Sequence, residues 1–133
     1  MKKNSLLVGV VLFLSACAQQ TSLSESSSSS HHNNTMGLSL ASLVFEDGGL
    51  IPPRFSCDGD NVSPPLMISG VPEETKSMVL IVDDPDAPMG TWVHWTIWNI
   101  PPDTTFLPED GAPEGAVEGM TSFGSPGYGG PCP

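Results

Sequence analysis

In the run VLIVDDPDAPMGTWVHWTIWNIP, Val79 to Pro101, Asp83, Asp84, Asp86 and His94 stand among Val79, Leu80, Ile81, Val82, Trp92, Trp95 and Trp98. Charged groups beside apolar ones cost free energy unless they are paired or used. Carboxylates close to an imidazole can serve general acid–base chemistry, metal ligation or recognition of a polar ligand. Bland readings stand beside these: Asp84 before Pro85 is a residue type that caps turns, and His94 can be a satisfied core histidine. No Ser or Cys lies in a recognisable nucleophile turn, and no His/Cys pair has metal-ligand spacing. His31-His32 lacks a third ligand nearby. Asp58 and Asp60, around Gly59, look like a calcium-loop fragment with no acid at the required distance, and read as turn residues. Binding without catalysis is therefore the expectation, with no metal and no cofactor. The chemical alternative is a metal-assisted hydrolase using Asp84, Asp86 and His94.

The elements that must position these groups are strands. Short β-rich runs cover Leu40–Phe45, Leu66–Ser69, Ser77–Asp83 and Trp92–Ile100, and no stretch shows a capped helical period. Gly and Pro, 14 each, punctuate the chain in EDGG, CDGDN, SPP, DDPDAPMG and GSPGYGGPCP. The fold class is all-β, a sandwich or partly closed barrel. SMVLIVDD and WVHWTIWNIP are apolar on both alternate faces, as central strands covered on both sides are. Trp92, Trp95 and Trp98 are expected in the core, with Trp92 also placed to line a pocket wall. Asp83 to Asp86 fall at a strand end, where His94 can approach from the next strand.

Lys2 and Lys3 precede the apolar run Leu6–Leu14, followed by Leu14-Ser15-Ala16-Cys17. This reads as a signal peptide over residues 1–16 ending in a bacterial lipobox, with Cys17 lipidated. Residues 17–36 then form a serine-rich flexible tether with a mean reach of about 25 Å. Residues 37–133 form the β domain. Ala18, not Asp, follows the cysteine, so the expected location is the periplasmic face of the outer membrane. The whole chain carries −11, and without the leader Arg54 and Lys76 face fifteen acidic residues. A nucleic-acid partner is excluded on that balance. Cys57 and Cys132 remain as an even pair in an oxidising setting, either bridged or as two separate thiols.

CDGDNVSPPL, DDPDAPMGTWVHWTIWNIP and GYGGPCP, in that order, resemble the phosphatidylethanolamine-binding protein family, and within it the bacterial Raf-kinase-inhibitor-like branch. The resemblance runs from about Leu43 to Pro133. It implies a β-sandwich with a small solvent-open pocket for anions and phosphorylated head groups. Asp84, Asp86 and Pro88 match the family's DPDAP motif, His94 matches its WxHW segment, and Cys132 and Pro133 fall at its Gly-Pro-rich rim. The family's following His-Arg-Tyr strand is absent, so the domain is expected to be C-terminally truncated. Carboxylates repel phosphate, and three arrangements answer that. One carboxyl stays protonated, or an aspartate orients a protonated His94, or an aspartate takes the ammonium of a zwitterion while backbone N–H groups hold the phosphate. The function implied is a lipid-anchored module binding a small phosphorylated or anionic ligand. The other reading is an inhibitor or interaction protein acting on a kinase or protease.

Overall fold

The computed structural model describes residues 7–12 and 37–132. It is mostly strand, and a single 3-10 turn, Pro53–Phe55, is the helical element among the described residues. β-branched and aromatic side chains fit a pleated, half-buried surface better than a helix. MVLIVDD and WVHWTIWNI accordingly form its two longest central strands, β4 (Met78–Asp84) and β5 (Trp92–Ile100), paired antiparallel across the turn at residues 85–91.

Opposed residues of an antiparallel pair share a face. Met78, Leu80 and Val82 thus lie beside Ile100, Ile97 and Trp95, and all six are buried. Leu66 and Ile68 from β3 (Leu66–Ser69), with Leu107 from β6 (Phe106–Leu107), join them in one apolar cluster. Burying each such large side chain stabilises the fold by about 1.5–3 kcal/mol. β2 (Ser39–Ser42), β3 and β6 make one sheet in that order. The other runs β1-β4-β5-β7, where β1 is Leu7–Leu12 and β7 is Val117–Glu118. Within the apolar run read as a leader, Leu7–Leu12 form a strand antiparallel to β4, from Leu7 opposite Asp83 to Leu12 opposite Met78. Residues 1–6, the lipobox with Cys17, the tether and Pro133 lie outside the described residues.

Two expectations need correction, and two short strands were not expected. The strand expected to reach Phe45 ends at Ser42, because the Ser42 hydroxyl accepts the Val44 N–H (3.2 Å) and turns the chain. Trp98 is not core but 45% exposed, unlike fully buried Trp95. The following residue, Asn99, has φ 57°, and the β4–β5 register slips between Met78 and Leu80, so a bulge turns Trp98 out of the cluster before Ile100 re-enters it. Finally, β6 and β7 are pairings of two residues each, too short for any periodicity to show.

Candidate functional site

A second slip in the β4–β5 register makes the site. Val82 faces Trp95 and Asp83 faces Val93, so His94 is the extra residue of β5. A bulge re-aims the side chain it carries. Here it leaves His94 buried, at 5% exposure, beside the β4 terminus. The imidazole Nδ1 lies 2.6 Å from the Gly129 carbonyl, which can only accept, so Nδ1 bears the hydrogen and donates it. The His94 carbonyl in turn accepts the Gly129 N–H at 2.9 Å. Both ends of the residue are thereby tied to one glycine, and Nε2 is left as the other ring nitrogen for a ligand.

Asp84 closes β4 opposite Trp92. Its Oδ1 accepts the Asp86 N–H at 2.9 Å, the turn-capping role, which leaves Oδ2 for other partners. Phe123 stands edge-on to Trp92, with centroids 5.4 Å apart, and to His94 at 5.7 Å. Its loop is fastened to β5: Val93 N–H donates to the Ser122 hydroxyl (2.9 Å), and Ser122 N–H donates to the Val93 carbonyl (3.0 Å).

The chain then returns past the site. Gly130 N–H donates to Asn61 Oδ1 (2.7 Å), and the Tyr128 hydroxyl donates to the Phe55 carbonyl (2.6 Å). Burial pushes the Tyr128 hydroxyl up to about 12. Only glycine fits at 130, where a Cβ would lie 2.5 Å from the Phe55 carbonyl oxygen. Cys57 N–H donates to the Pro131 carbonyl (3.1 Å), and Cys57 and Cys132 form a disulfide. The bridged alternative for the two cysteines is the one adopted.

These groups enclose an open cavity of about 360 Å³ lined by Asp84, Ala87, Pro88, Met89, Trp92, His94, Phe123 and the Gly130–Cys132 segment. Of the residues expected there, Asp84, Pro88, Trp92, His94 and Cys132 are brought together. Asp86 is not among the lining residues: it is exposed in the turn, held by its backbone to Asp84. Phe123, Met89 and Ala87 were missed. The signal for Phe123 was a lone aromatic in a loop of Gly, Ser and Pro, where no core explains it. No Lys or Arg is among the lining residues. Arg54 is engaged elsewhere, with Asp60 (3.3 Å) and Glu109 (2.7 Å). Among the described residues, no three His, Cys, Asp or Glu side chains are grouped to hold a metal ion. Asn61, Ser63, Asp110, Gly111, Glu118, Gly127 and Tyr128 line a smaller polar cavity of about 200 Å³, not anticipated from the sequence.

The two longest strands thus meet at an open cavity walled by a carboxylate, an imidazole and two aromatic rings. The family follows from comparison. The chain belongs to the phosphatidylethanolamine-binding protein family, whose sequence model matches residues 41–133. A UPF0098 protein of Methanothermobacter thermautotrophicus is 52% identical over 101 residues, covering 72% of this chain and 67% of that protein. The UPF0098 protein YbcL of Escherichia coli is 52% identical over 87 residues, 59% of this chain and 48% of YbcL. The crystal structure of E. coli YbcL, described as a member of the mammalian PEBP family, superposes with a TM-score of 0.68 at 41% identity, covering 72% of this chain and 66% of that one. That of the phosphatidylethanolamine-binding protein homologue CT736 from Chlamydia trachomatis gives 0.69 at 43% identity, covering 73% and 66%. The chain thus spans about two thirds or less of the length of these relatives.

Proposed function

We propose that this chain is a binding module of the phosphatidylethanolamine-binding, Raf-kinase-inhibitor-like type, built as a β-sandwich. Its cavity takes a small phosphorylated head group, and the domain is exported and held to the cell envelope by lipid on Cys17. The observation that carries the reading is the convergence of Asp84, Trp92, His94 and Gly130–Cys132 around one open cavity. Of the three ways to reconcile a carboxylate with a phosphorylated ligand, the lining favours the zwitterion. With no Lys or Arg lining the cavity among the described residues, Asp84 takes the ligand's ammonium, while His94 and backbone N–H groups of the glycine turns take the phosphate. The reading requires no reaction.

Calorimetry tests it with phosphoethanolamine against inorganic phosphate. Asp84→Asn keeps an oxygen to cap the Asp86 N–H but removes the charge. It should weaken phosphoethanolamine about tenfold, in line with the strength of charge-assisted hydrogen bonds, and should not weaken phosphate. His94→Ala should weaken both. An absence of heat with either ligand counts against the module.

A second reading has one observation in its favour. Met89, 92% exposed, and Phe123, 47% exposed, make an apolar rim at the cavity mouth, as an inhibitor of a kinase or protease would present. Met89→Lys separates the two readings. Because Met89 also lines the cavity, the discriminating readout is inhibition: this variant should abolish inhibition of a purified target enzyme, whereas Asp84→Asn should leave inhibition intact and weaken phosphoethanolamine.

A further inference from the structure

Gly129 and Gly130 are held by His94 and Asn61, but the last part of the wall, Pro131 and Cys132, is tied down differently. Among the described residues its hydrogen bond to the rest of the protein is the one from Cys57 N–H to the Pro131 carbonyl, and its covalent tie is the bridge to Cys57. Both attachments therefore end on the same residue, in the turn after Pro53–Phe55. Cys132 lines the cavity, Cys57 does not, and both are exposed to solvent.

We propose that the Cys57–Cys132 disulfide is the clamp that positions this wall, and that its oxidation state sets the affinity of the cavity for its ligand. The inference rests on the reading of the cavity as the ligand site. With the bridge intact the wall is ordered before binding. With it reduced, the ligand must order Pro131 and Cys132 itself, and fixing even one residue costs about tenfold in affinity. The reductant is a dithiol. One of its thiolates attacks a bridge sulfur, forming a mixed disulfide and releasing the other cysteine as a thiolate. The second thiol then displaces the first cysteine, leaving two cysteine thiols and an oxidised dithiol, a transfer of two electrons and two protons. Exposure of both cysteines gives the attacking thiolate access.

The test uses the full chain with phosphoethanolamine as probe, oxidised and after dithiol treatment, with free thiols counted and amide exchange followed. Oxidised protein should bind about tenfold or more tightly than reduced, and affinity should return on reoxidation. By reciprocity, saturating phosphoethanolamine should lower the reduction potential of the bridge by about 30 mV for each factor of ten. The amide of Cys57, which donates to the Pro131 carbonyl, should exchange faster on reduction, while those of Ile81 and Trp95 stay protected. Equal affinity in both states with both thiols free overturns the clamp and leaves the binding module standing. General loss of protection across β4 and β5 also overturns it, because the bridge then supports the whole fold. If the oxidised protein binds neither phosphoethanolamine nor phosphate, the ligand-site reading fails. Unchanged exchange at Cys57 then removes the clamp as well, whereas acceleration confined to that amide supports it.

Discussion

Asp84 meets two demands with two oxygens. One accepts the Asp86 N–H and caps the turn that starts at Pro85, the other is not engaged by that bond, and the residue lines the cavity. Both the turn-capping and the ligand-facing readings of this residue are therefore compatible with its placement. Tyr128 is held with similar economy, its hydroxyl donating to the Phe55 carbonyl while its ring meets Trp95 edge-on at 5.7 Å. A hydroxyl raised to about 12 resists ionisation in the folded state. The unfolded chain loses that proton near pH 10 and the folded chain near 12, so Tyr128 supports folding in full below pH 10 and progressively less up to pH 12. Tyr128→Phe should be less stable than wild type by about 1 kcal/mol at neutral pH, the worth of one hydrogen bond. In urea titrations that gap should shrink between pH 10 and 12, and a gap constant with pH would refute the assignment. Asp84 and His94 were legible in the sequence because charge beside a core calls for a use. Phe123 was not, because the turn that carries it to Trp92 is held by Ser122 and Val93, a contact between elements.

Among the elements, β5 was readable from end to end, since WVHWTIWNI lacks any breaker. Its two bulges were not readable. Each depends on how many residues of β5 oppose β4, a property of the pair that neither strand shows alone. Yet the bulges decide the function of the strand, turning His94 toward Gly129 and releasing Trp98 to solvent. Asn99 pins the bulge beside Trp98 with φ 57° and an Nδ2–H bond to the Gly115 carbonyl at 2.9 Å. Asn and Gly adopt that conformation readily and β-branched residues do not. Asn99→Gly should cost about 1 kcal/mol through the lost side-chain bond. Asn99→Val should cost about 1–2 kcal/mol more through backbone strain. Equal urea midpoints for the two variants would show that strain is not what Asn99 relieves.

At the scale of the whole molecule, the acidic balance, the strand content and the family were open to sequence reading. The pairing of Cys57 with Cys132 was not, because 75 residues of separation say nothing about proximity. Placement at the envelope is the proposal that concerns the molecule entire. Cys17→Ala should move the protein from the membrane fraction to the soluble fraction, as one lipidated residue is its proposed anchor. Retention in membranes after that change would mean another element holds it.

The pairing of Leu7–Leu12 with β4 has a kinetic meaning on that exported route. Leu7–Leu12, which lie within the proposed leader's apolar run, are also the six residues that pair with the outer edge of β4. A newly made chain that zips early becomes a poor cargo, and one that is captured early arrives with that edge bare and able to accept another strand. On the proposed exported route, secretion then becomes a race against folding.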